Sequence, residues 1–108
     1  MVNKAKKQGT NYETNIVNRL NQVSNLKAQR FAEGGSNDLG DIQLFVDDEE
    51  FFIEAKSRMN LNLHQTLDKA ISKSGDEKTL VFWKKLKRKT IVNVELDIFA
   101  KYILKISK

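Results

Sequence analysis

The sequence predicts a mixed α/β (α+β) domain: a mixed central β-sheet with helices packed against it, in the order αβββαβ(β)α. The expectation rests on three features of the chain. Residues 41–56 read as two strands joined by a short acidic turn. Residues 79–83, TLVFW, form an unbroken apolar run of strand length, suited to a buried strand. Residues 11–25, 61–74 and 97–107 space their apolar side chains at helical intervals.

Taken in order, residues 1–8 read as a loose basic arm holding Lys4, Lys6 and Lys7. Thr10 or Asn11 is a candidate helix cap, with Glu13 in the first turn and Tyr12, Ile16, Leu20 and Val23 on the apolar face. LKAQRFAE (26–33) reads as a short first strand, followed by the Gly-rich turn EGGSND. DIQLFV alternates Ile42, Leu44 and Val46. DDEE makes a polar turn, and FFIEAK returns as the second arm of a hairpin. Leu63, Leu67, Ala70 and Ile71 mark the next helix, which Gly75 ends as a C-cap. TIVNVEL follows the apolar run as a further strand, and DIFAKYILKIS closes the chain as a helix.

With 108 residues the chain is expected to be a single domain, 1–108, with one modest core. It contains no cysteine, which excludes disulfides, thiolate zinc sites and a Cys nucleophile. No apolar run approaches the roughly 20 residues of a membrane-spanning helix, and the polar N-terminus is not a secretory signal. An intracellular, cytoplasmic location is therefore expected. The net charge of +5 and the dense run Lys84, Lys85, Lys87, Arg88 and Lys89 point to an anionic partner such as DNA, or else to a solvated surface. Such cations, together with Lys6 and Lys7, grip phosphates without reading base sequence.

Against this basic background, residues 34–58 concentrate seven carboxylates. Asp41 opens the first hairpin strand, and Glu54 and Lys56, two apart, share one face of the second. Antiparallel pairing across the DDEE turn brings Asp41 opposite the Glu54–Lys56 end. Oxygen ligands of this kind suit Mg²⁺, with Mn²⁺ as a substitute, and a neighbouring lysine orients or deprotonates an attacking water. Glu-x-Lys is also the pattern of an ordinary cross-strand ion pair. Here the strand carries Phe51, Phe52 and Ile53, so it is expected to be buried, and a carboxylate at the end of a buried strand calls for a compensating charge. Gly34, Gly35 and Ser36 either approach phosphate closely or simply turn the chain, and Ser57 is a candidate phosphate contact. His64 is read as a surface residue and Trp83 as core.

In order and spacing these segments resemble the PD-(D/E)XK nuclease superfamily, and within it the small Holliday junction resolvase-like enzymes of archaea and phages. The resemblance runs over residues 9–89. GTNYETNIVNRL is similar to the family's first helix, which implies a site role for Glu13. GSNDLGDI resembles the metal-binding motif at Asp41, with Gly40 where the family pattern has Pro, and IEAK resembles the (D/E)-x-K motif at Glu54 and Lys56. HQTLDKA resembles the following helix and implies a place near the site for Gln65. The resemblance implies a restriction-endonuclease-like core and a Mg²⁺-dependent, structure-selective DNA endonuclease acting on four-way junctions, with metal held by Asp41 and Glu54. A homodimer is implied as well, since two symmetric cuts need two sites. Two alternatives remain: a non-catalytic DNA-binding module of the same fold, or a nuclease of flap or duplex DNA.

Overall fold

The computed structural model describes residues 4–31 and 39–104 of the chain, the first five of these (4–8) as backbone only. Helix α1 (Lys4–Leu20) leads into strand β1 (Leu26–Arg30). Strands β2 (Ile42–Val46) and β3 (Glu49–Ser57) form the hairpin, followed by α2 (Leu63–Ser74), β4 (Thr79–Lys84) and β5 (Ile91–Asn93). The last helix, α3 (Leu96–Ile98), runs directly into a π-helical turn over Phe99–Ile103. The five strands lie in sequence order in one sheet. All pair antiparallel except β3 and β4, which α2 joins as a parallel crossover.

Strand alternation divides the apolar residues between two faces. Ala28, Leu44, Phe51, Ile42, Ile53, Leu80 and Phe82 form a core with Ile16 of α1 and Ile98 of α3. The opposite face offers Phe52 and Val81 to Leu67 and Ala70 of α2. Phe51, Ile53 and Val81 are fully buried, which makes β3 and β4 the centre of the molecule. Tyr102 of the C-terminal π turn packs edge-on against Phe51, while Phe99 and Leu104 beside it are exposed.

Several boundaries differ from the sequence expectation. Helix α1 starts at Lys4, so residues 4–8 belong to a helix where a loose arm was expected. Ala, Lys and Gln there are good helix formers and extend it without a cap at Thr10 or Asn11. Its end comes earlier, because the Asn21 side chain bonds both the N–H (2.7 Å) and the C=O (2.9 Å) of Ala28 and draws the chain into a turn. The hairpin turn is Asp47–Asp48 alone, with Asp47 at φ 54 in the left-handed region that Asp tolerates. Glu49 already belongs to β3 and faces Lys78 at 3.5 Å. Strand β5 spans only Ile91–Asn93 of the expected seven-residue strand. Gly75 is the expected left-handed cap of α2, at φ 70, donating its N–H to Ile71.

Gly40 is required where it stands. Its φ is +152, and a Cβ would lie 3.2 Å from the Ile53 carbonyl oxygen. Proline, fixed near φ −65°, cannot adopt that conformation. Gly40→Ala is expected to lose about 1–3 kcal/mol in urea unfolding. Gly9→Ala, inside α1 with nothing near its added Cβ, is expected to gain about 0.5–1 kcal/mol. Equal effects at the two positions would contradict this account.

Candidate active site

The site is built where the chain enters the hairpin. The Asp41 N–H donates to the Ile53 carbonyl (2.9 Å), and its own carbonyl accepts from Phe31 N–H (3.1 Å). Gly40 then turns the chain away from the ladder, and the next rung on β3 is filled by a side chain: Ala55 N–H donates to Asp41 Oδ2 at 2.8 Å. The carboxylate of Asp41 is thus held against the backbone on one side of Glu54.

Glu54 and Lys56 point to the α2 face of the sheet and line one polar pocket of about 320 Å³. Lys56 Nζ stands 3.6 Å from Glu54 Oε1. The other oxygen, Oε2, is buried and has no hydrogen-bond partner among the described residues. The Glu54 side chain is 12% exposed. Burial pushes its carboxyl above the usual glutamate range, and the charge of Asp41 pushes it further. Lys73 and Lys56 act in the opposite direction.

Helix α2 forms the pocket's other wall. Asn62 caps it, accepting from Gln65 N–H at 3.1 Å, and the Thr66 hydroxyl donates to the Asn62 carbonyl at 2.8 Å. This first turn brings Gln65 to the rim, and Lys69 and Lys73 follow at four-residue intervals along the same wall. Arg58, just beyond β3, lines the pocket too. Arg58, Lys69 and Lys73 were not foreseen as site residues. The spacing 65–69–73 was visible as a polar row, but the face of the sheet it covers was not.

A cation fits this arrangement. An orphaned buried carboxylate oxygen beside a second carboxylate is an unfavourable arrangement that a divalent ion relieves. Among the described residues no three His, Cys, Asp or Glu side chains converge. Asp41 and Glu54 are the two carboxylates that would hold such an ion, and Mg²⁺ commonly completes its coordination with water and other oxygen donors.

The other expected site residues are dispersed. Glu13 sits in the middle of α1, not in its first turn, and bonds Arg30 Nε at 3.0 Å, at the end of β1 paired with the start of β2. Ser57 and Lys84 pair with one another at the ends of their strands. By alternation they face away from Glu54 and Lys56, and Lys84 lies beside Tyr12 and Arg19 of α1. Lys85, Lys87, Arg88 and Lys89 cluster in the β4–β5 loop around Trp83. Trp83 is half-buried rather than core: its Nε1–H donates to the Arg58 carbonyl (3.0 Å), and Lys85 Nζ stands 5.4 Å from its ring centre. His64 is exposed. Ser36, with Gly34 and Gly35, lies outside the described residues, as do the side chains of Lys6 and Lys7.

No protein-family model matches the sequence, and no curated protein matches it. The structure does find a counterpart: Hjc from Archaeoglobus fulgidus, a Holliday junction resolvase from an archaeal hyperthermophile. In fold, this chain is similar to that resolvase. The TM-score is 0.57 over 79% of this chain and 75% of that one, at 20% sequence identity. The likeness bears out the restriction-endonuclease-like core: a five-stranded mixed sheet between helices. Among the described residues no helix is long and apolar enough to cross a membrane.

The raised Glu54 pKa has a consequence in metal-free protein. The folded chain holds this proton more tightly than the unfolded chain. Its contribution to stability is therefore level below about pH 4.3 and declines as pH rises from there through the raised folded value. Thermal melts in EDTA between pH 4 and 8 are expected to show this decline in the native chain and a flatter profile in Glu54→Gln. Parallel profiles would contradict the burial of a strained carboxylate here.

Proposed function

We propose that the protein is a Mg²⁺-dependent DNA endonuclease that hydrolyses phosphodiester bonds in branched DNA, with four-way junctions as its substrate. The observation that carries the reading is Asp41 bonded to the backbone next to Glu54, with Glu54 beside Lys56 in a pocket that Arg58, Lys69 and Lys73 also line. The likeness in fold to a Holliday junction resolvase supports it.

Each side chain has a task in this reading. Asp41 and Glu54 hold the ion, which when bound neutralises charge on the phosphoryl oxygens and acidifies a water. Asp41 is oriented by the Ala55 N–H, so its second oxygen is left for the ion. Lys56 orients the attacking water or stabilises the developing charge. Gln65 at the pocket rim contacts the scissile strand or the water. Lys85, Lys87, Arg88 and Lys89 hold phosphates beyond the cut, with Lys6 and Lys7 as further contacts. Two symmetric cuts in one junction are made by a homodimer.

Cleavage of a synthetic four-way junction in Mg²⁺ is expected to give paired nicks, and EDTA to abolish them. Asp41→Asn keeps an acceptor for Ala55 N–H, so it is expected to fold and bind while losing about 10²–10⁴ in rate, as is Lys56→Ala. Binding without nicks in any divalent metal would leave a DNA-binding module in place of an enzyme. Flap and duplex competitors decide the substrate.

Salt titration tests the basic loop separately. Lys87→Ala and Arg88→Ala are each expected to lower the slope of log affinity against log salt by about 1. An unchanged slope would place the loop outside the interface.

A further inference from the structure

The tip of the β4–β5 loop holds a side chain that the nuclease reading does not use. Leu86 is 69% exposed and is flanked by Lys84, Lys85, Lys87, Arg88 and Lys89. A single exposed leucine is ordinary on a protein surface. This one is presented by a built turn. Arg88 N–H donates to the Lys85 carbonyl at 3.0 Å, closing a four-residue turn with Leu86 and Lys87 at its centre. Lys87 has φ 62, while Leu86 does not have positive φ, the pattern of a type II turn. That third position favours Gly, and a lysine held there carries backbone strain of the kind found at functional sites.

The loop is also anchored to the active-site end of the sheet. β3 and β4 run parallel, so Glu54, Lys56 and the loop leave the sheet in the same direction. Trp83 Nε1–H bonds the Arg58 carbonyl, and Arg58 N–H bonds the Lys84 carbonyl at 3.1 Å. Arg58 lines the catalytic pocket. Val81 pairs with Glu54, and Leu86 is five residues further on, at most about 17 Å along an extended chain. That is about five base-pair steps at 3.4 Å each.

Resting on the branched-DNA reading above, we infer that Leu86 is a wedge inserted between base pairs at the branch point, while the surrounding cations hold the phosphates. Apolar side chains inserted between base steps unstack them, and a branch point, where stacking is already interrupted, is the least costly place to do so. Five cations around one leucine disfavour a second copy of this chain as its occupant, because the like charges would repel. The inference assigns the unstacking of the branch point to Leu86 and leaves affinity to its neighbours.

The test uses the full chain carrying Asp41→Asn, so that DNA is bound but not cut. The probe is a synthetic four-way junction with 2-aminopurine beside the branch point. Saturating protein is expected to raise the fluorescence, and Leu86→Ala to abolish the rise while changing affinity by less than about threefold, since contact and unstacking offset each other. Leu86→Phe is expected to retain the rise. Lys87→Ala is expected to weaken binding yet retain it at saturation. At 69% exposure Leu86 carries little of the fold, and matching thermal melts establish this. A rise unchanged in Leu86→Ala overturns the wedge alone, with junction cleavage by the unmutated chain intact. Failure of the unmutated chain to prefer or cut junctions overturns the parent reading and the wedge with it.

Discussion

One hydrogen bond organises the candidate-site end of this molecule: Ala55 N–H to Asp41 Oδ2, 2.8 Å. In an antiparallel ladder that rung would ordinarily be filled by a backbone carbonyl. Gly40 turns the chain out of the ladder at a φ of +152, which side-chain-bearing residues rarely adopt, and passes close against the Ile53 carbonyl. The aspartate then fills the rung with its side chain. The buried strand is satisfied, and a carboxylate is fixed beside Glu54, at the edge of the core.

That placement is electrostatically costly, and the surrounding charges reflect it. Glu54 is largely enclosed next to a like charge, and its buried Oε2 has no hydrogen-bond partner among the described residues. Lys56 and Lys73 offset part of the repulsion from opposite sides, one from the strand and one from α2. Glu54 shares its pocket with Lys56, Arg58, Lys69 and Lys73, a combination that under the proposed function suits a phosphate bound together with a metal ion. The described acids of residues 34–58 differ in their surroundings: Asp41 and Glu54 lie at the candidate site, Asp47 and Asp48 make the turn, Glu50 accepts from Gln43, and Glu49 pairs with Lys78 at the far end of the hairpin.

The crossover through α2 determines what lies next to the site. Because β3 and β4 are parallel, the pocket and the basic β4–β5 loop emerge from the same end of the sheet. Arg58 belongs to both, lining one and bonding the strand that leads to the other. The candidate site and the densest cationic loop therefore share one end of the sheet. The apolar C-terminal segment packs inward through Ile98 and through Tyr102 against Phe51, while Leu96, Phe99 and Leu104 stay exposed.

The sequence by itself determined the features whose causes are local. Period-two alternation and the runs FFI and TLVFW located β2, β3 and β4; Gly75 located the end of α2; the Glu-x-Lys spacing placed two site residues on one face. Helix α1 was misplaced because its start has helix formers but no cap, and its end depends on an Asn21 bond to Ala28, seven residues away. Only the tertiary structure decided that Glu13 meets Arg30, that Ser57 and Lys84 turn from the site, and that Lys69 and Lys73 turn toward it. Those outcomes depend on strand register and on which face each helix covers. Both are settled by packing between residues distant in the chain, which no local pattern encodes.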